Sequence, residues 1–454
     1  MKTSALISVS LVVACLTGCQ EKESVRIKEK PGGIQFERRA MKSIDFTKGE
    51  ADTFHPKSSF ESSRKTVLTN FGKLTVTPPV QTFAQEDLEK ALEFQNTPRL
   101  GVMTFENRTI DVPGYPFDYE NDIGRLKKLY STHNLGSVVT PEMSELEKVT
   151  ALMVYTNSFL EGGRVPTTEE KKTISGPSAE VITRLRREKG IGGASEEYAA
   201  LFCQLTLACG FNSRILGMHT IDKNGDFLTN TVCEVYLNAH DKWAVFDPYN
   251  RATYYTRNGI PLSALEVREL MLENRYREIV PQIHLGDFAD IPSVREKLLP
   301  RYQYLYMWRM NDILSKGKNG SVLPWQALYM YHLVWEDGYA PVADGGFDRL
   351  GTFTDASRPD YKLTGVHYVT HEKKDFYWSL NHVVMHVKRT ADDELTFYFD
   401  TMTPNFDSFN FLINSKKMVV KNKLQLPQIT GDFVIRSVNK FGVQGSYSEI
   451  STAM

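Results

Sequence analysis

The sequence carries no surplus of charge: 54 Lys and Arg stand against 55 Asp and Glu, a formal net charge of -1. With the two signs interspersed, no basic face is available to hold a phosphate backbone, and nucleic acid is excluded as a partner. Cysteines are scarce, five in 454 residues, and none stands in a CxxC or His/Cys cluster at zinc spacing. No metal or cofactor is therefore expected. Three cysteines lie in the body of the chain, Cys203, Cys209 and Cys233. That odd number leaves at least one free thiol, however the others pair. Long apolar runs are missing beyond the first residues. What remains is an ordinary globular composition, 41% hydrophobic and 24% charged, in a chain long enough for roughly two or three domains.

The one apolar run is at the start. Lys2 and then ALISVSLVVACL make a short basic region followed by a stretch too short to span a bilayer, the pattern of an export signal. It ends in Leu16-Thr17-Gly18-Cys19, which resembles the lipobox of bacterial lipoproteins. The resemblance implies a signal peptide over 1–18, cleavage before Cys19 and a lipid on that cysteine, so that the partner of this end is a membrane. Gln20 rather than an aspartate follows, which implies the outer membrane where the host has one. Residues 19–35, charged and broken by Pro31, Gly32 and Gly33, read as a tether.

Residues 36–140 mix short β-like runs with polar loops and carry no motif; this N-terminal region stays unassigned. The pattern sharpens at Ser144, which forms a capping box with Glu147 ahead of the helical series Leu146, Val149, Leu152, Met153. SAEVITRLRREKG predicts a second helix closed by Gly190, and GGASEEYAALFCQL a third. CGFNSRILGMHT, NTVCEVYLN and KWAVFDPYN follow as strands, with turns at 222–226 and 239–242. Helices followed by an antiparallel sheet make an α+β domain, placed at 141–260. A linking region, helical or irregular, follows at 261–361, with one helix expected between Pro261 and Pro281 and a shorter one between Pro292 and Pro300. From 362 to 454 the period switches to two, the pattern of a β-sandwich whose last strands resemble a fibronectin type III or immunoglobulin-like module.

Within 190–250, Glu197-Tyr198-Ala199, Gly210, Arg214, Glu234-Val235-Tyr236, Trp243 and Asp247-Pro248 together resemble the transglutaminase-like superfamily, over about a quarter of the chain. The resemblance implies a papain-like core in which a cysteine at a helix start, a histidine and an aspartate perform acyl transfer. Such chemistry needs a thiolate favoured by the helix N-terminus, an imidazole to carry the proton and a carboxylate to orient it. Counting three back from Tyr198 puts Ser195 at the cysteine position, and four before Glu234 puts Asn230 at the histidine position. Asp247 alone keeps the family's residue type. A serine without a base is a neutral hydroxyl, and an amide takes no proton at neutral pH. Cys203, eight residues into the helix, reads as a buried core thiol, and Cys233 alternates away from Asn230 along its strand.

The expected protein is thus exported, lipid-anchored and catalytically inactive, holding a peptide or polysaccharide at the cell envelope in the ancestral cleft. The alternative is an amide or ester hydrolase or acyltransferase that uses Ser195, with His219 or a group within 36–140 as replacement base. A structural spacer without a cleft is the third class. Ser195 as a helix N-cap and Asp247-Pro248 as a strand-ending turn are the plainer readings of those residues. His382 and His386 read as solvent-facing side chains on one strand face. The aromatic concentration from Tyr304 to Trp335 reads as core rather than as a sugar groove.

Overall fold

The computed structural model describes residues 117–167, 178–221, 227–284, 297–311, 371–389, 395–413, 416–421 and 432–453, with a few shorter stretches besides. The signal segment and Cys19 lie outside the described residues, as does the turn at 222–226. Among the described residues no helix is long and apolar enough to cross a membrane.

Helices α1 (Ile123–Thr132), α2 (Glu145–Leu160), α3 (Ala179–Lys189) and α4 (Ser195–Ala208) open the body. Their starts are written locally. The Asp122 side chain accepts from Arg125 N, Ser144 and Glu147 form the reciprocal capping box, and Ser178 accepts from Val181 N. Gly190, in the left-handed region at φ 65°, closes α3. Every residue of α4 from Tyr198 to Ala208 is buried. A helix apolar on all sides must be surrounded, and α1, α2 and α3 pack against it.

Behind the helices lies an eight-stranded sheet. Leaving aside β1 (Gly101–Phe105), the strands in chain order are β2 (Ser213–Ile221), β3 (Phe227–Leu237), β4 (Lys242–Asp247), β5 (Ala252–Tyr255), β6 (Val280–Ile283), β7 (Tyr304–Trp308), β8 (His332–Trp335) and β9 (Tyr368–Thr370). Their spatial order is β6-β5-β4-β3-β2-β7-β8-β9, antiparallel except for β8 with β9. Strand alternation splits its side chains between two cores. Ile215, Cys233, Val235, Ala244 and Phe246 face the helices, while Leu216, Val232, Tyr236, Trp243 and Val245 face a second core with Leu265, Phe376 and Trp378. The molecule is thus α+β with antiparallel sheets.

Two further antiparallel sheets share a third core. One holds β10 (Val383–Arg389), β11 (Leu395–Thr401) and β14 (Lys423–Leu426). The other is ordered β13 (Lys416–Val420), β12 (Phe406–Ile413), β15 (Phe433–Asn439), β16 (Gln444–Ala453) and finally β1. Met385, Phe397 and Phe399 from the first meet Phe409, Phe411 and Phe433 from the second. Asparagine side chains join these sheets to the rest of the body. Asn381 donates to Asn238 Oδ1 at 2.7 Å, Asn439 to Gly210 O at 2.7 Å and Asn405 to Glu120 O at 3.0 Å.

Two expectations are corrected. The helix expected up to Pro281 is α5 (Ala264–Leu272), ended before Asn274 at φ 60°. Pro281 instead sits in β6, at the sheet edge where its missing N–H costs nothing. The C-terminal pair of sheets begins at Val383 rather than 362, because β9, Phe376 and Trp378 belong to the large sheet and its second core. Residues 36–140 carried no assignment: of them, α1 enters the helical core and β1 completes a C-terminal sheet.

Candidate functional site

Ser195 is the first residue of α4, with Ala194 in the cap position, so it is not the helix's N-cap. Its Oγ accepts a 3.2 Å hydrogen bond from Thr231 N, the peptide that follows Asn230. The loop in front is pinned by backbone contact. A Cβ on Gly192 would lie 2.5 Å from Leu160 O and 2.8 Å from Gly163 Cα, and Gly193 sits at φ 94°. Glu197 reaches back to accept from Ala194 N at 2.7 Å. The Gly-Gly pair therefore lets α4 begin hard against the end of α2.

Asn230 and Asp247 meet directly, Nδ2 to Oδ2 at 2.8 Å, both buried. Asp247 also accepts from Asn250 N at 3.0 Å and Asn250 Nδ2 at 2.8 Å. Burial pushes its carboxyl above the usual carboxylate range, against the Asn250 and Asn230 amides that pull it down. Among the described residues the buried Asn230 Oδ1 has no hydrogen-bond partner. The rings of Tyr254 and Tyr302 stand edge-to-face at 5.6 Å. Cys233 faces α4 and Asn230 alternates with it, so Ser195 reaches β3 through its backbone while the amide–carboxylate pair sits on the neighbouring face. Asn230 and Asp247 are thus brought together, Ser195 meets the same strand only at the Thr231 peptide, and among the described residues no imidazole is bonded to any of them.

His219 lies in β2 opposite Thr229 and Tyr304, and its side chain, like that of His386, lies outside the described residues. His382 is corrected. It is 7% exposed and its Nε2 bonds Asp241 at the junction with the C-terminal sheets, because the chain turns inward before β10. In the aromatic concentration, Trp308 and Trp335 are buried core residues and Tyr306 packs partly buried against the core, while the side chain of Tyr304 and all of Tyr329 and Tyr331 lie outside the described residues.

Sequence reasoning missed the buried ion pair beneath the site. Arg214 donates to Glu234 from Nε at 3.0 Å and Nη2 at 2.5 Å, and its guanidinium lies 4.0 Å from the Trp243 ring centroid. Glu234 Oε1 accepts from Ala264 N and Tyr377 OH as well. Beside this cluster is a cleft of about 250 Å³ whose lining includes Tyr236, Trp243, Glu266, Lys373, Tyr377 and Trp378. Tyr236 is six residues from Asn230 along β3, about 20 Å at strand rise. The cleft is therefore separate from Ser195. Among the described residues no three His, Cys, Asp or Glu side chains converge as metal ligands.

No family model matches the chain, and no curated protein does. Among solved structures, that of red sea bream transglutaminase is similar at 10% identity, over 82% of this chain and 60% of that one, with a TM-score of 0.24. The chain spans about 60% of the length of that protein.

Proposed function

We propose that this chain is an exported lipoprotein, anchored through Cys19, in which a transglutaminase-like, papain-like core no longer performs acyl transfer and a C-terminal β-sandwich follows it. Its role is to hold a peptide or glycan at the cell envelope. The observation that carries the reading is the occupation of Asp247. Its oxygens are taken by the Asn230 and Asn250 amides, so the carboxylate that would orient a base instead anchors a turn. Ser195 accepts from Thr231 N, and among the described residues no imidazole bonds it. The cleft places half-buried Tyr377 between Glu266 and Lys373, with the Trp243 and Trp378 rings packed in the core beneath it, a mixture that suits a polar, partly apolar ligand.

The test pairs activity with binding. Hydrolysis and transamidation of a glutamine-containing peptide are expected to be absent in the wild type and in Ser195→Ala, Ser195→Cys and Asn230→His. The same peptide and a chito-oligosaccharide are titrated against tryptophan fluorescence, where a saturable change supports the cleft. Wild-type turnover lost in Ser195→Ala would overturn the inactive reading, and no binding of either probe would leave a spacer.

A further inference from the structure

The cysteines of the body were left without an assigned pairing by their spacing, and the packing of α4 on β3 removes the ambiguity. Cys233 Sγ lies 3.1 Å from Ala199 O, on the face of α4 that meets β3. Cys203 follows Ala199 by four residues, so it stacks one turn further along that same face. Ala199 and Ala200, both fully buried, keep the helix close to the strand at this point. Cys203 and Cys233 belong to the same core cluster, both completely buried and both free thiols in this structure. Cys209 stands apart, half-buried at the C-cap of α4.

We infer that Cys203 and Cys233 are a disulfide-forming pair that ties α4 to β3, while Cys209 stays free. The two thiols give up two protons and two electrons to a small-molecule disulfide, which leaves as two thiols, and one S–S bond forms between α4 and β3. Burial pushes the Cys233 thiol well above its ordinary value, so the closed fold holds no reactive thiolate there. The bond therefore forms while α4 and β3 are still coming together, when an oxidant can reach both sulfurs. It would span a loop from Cys203 to Cys233, which contains Ser195's partner Thr231, and hold the end of β3 against the helix.

The experiment uses the full chain refolded from denaturant in a buffer of oxidised and reduced glutathione, then unfolded and alkylated without reductant. Peptide mapping should find Cys203 and Cys233 cross-linked and Cys209 alkylated. Oxidised protein should melt several degrees above reduced protein, a difference kept in Cys209→Ser and lost in Cys233→Ser. Alkylation of all three cysteines in the wild type, or a bridge that includes Cys209, would overturn the assignment; the mapping needs no variant to fold.

Discussion

Asp247 is a buried carboxylate enclosed by amides. Two amides and a backbone N–H point at it from within three residues and across one strand, so it works as the acceptor of a turn. Asp247→Asn replaces one acceptor oxygen by a donor that faces Asn230 and Asn250. It is expected to cost about 1–3 kcal/mol in urea unfolding through donors left unpaired; an unchanged midpoint would remove the anchoring role. A second buried group gives the molecule an acid limit. His133 bonds Tyr155 OH at 3.0 Å and Thr183 Oγ1 at 2.8 Å, and burial lowers its imidazole from 6.5 to about 4. As pH falls the unfolded chain takes up that proton first, so this contribution is intact above about 6.5 and drains between 6.5 and about 4. Urea midpoints measured across that window should fall for the wild type and fall less steeply for His133→Gln.

At the level of elements, the loop before α4 depends on the absence of a side chain. Gly192→Ala would drive a Cβ to 2.5 Å from Leu160 O, an overpacking expected to cost roughly 1–3 kcal/mol. Denaturant titration checks it, and an unaffected variant would mean that the loop can move away. Much of this layer was readable beforehand: Ser144 with Glu147, Ser178 with Gly190 and the strands around Glu234 all lie where periodicity and caps put them. The Arg214–Glu234 pair was within reach too. Both residues are equidistant from residue 224, the centre of the expected turn, and strand register sets them opposite each other. What no local pattern carried was Tyr254 set edge-to-face on Tyr302, because the two come from segments far apart in sequence. His382 was misjudged for the same reason. Its partners Asp241 and Tyr236 lie on the far side of a junction, and strand alternation says nothing of junctions.

For the whole molecule, the telling contact is β1 on β16. Four residues pair, from Phe105 opposite Ile450 to Gly101 opposite Ala453, so a segment ahead of the helices finishes a sheet built from the chain's last strands. Removing residues up to 105 should expose the β16 edge, speed amide exchange over Ile450–Ala453 and raise the tendency to associate. Exchange unchanged by the truncation would mean that the C-terminal sheets stand without β1. The arrangement also decides where load would fall. Tension drawn on the chain upstream of Gly101 reaches β1 first, and a pull away from the sheet opens its rungs one at a time from Ala453 inward. Until Phe105 has let go, the force stops short of α4 and the shell around Ser195, which makes β1 a mechanical fuse between whatever holds the N-terminus and the body that follows.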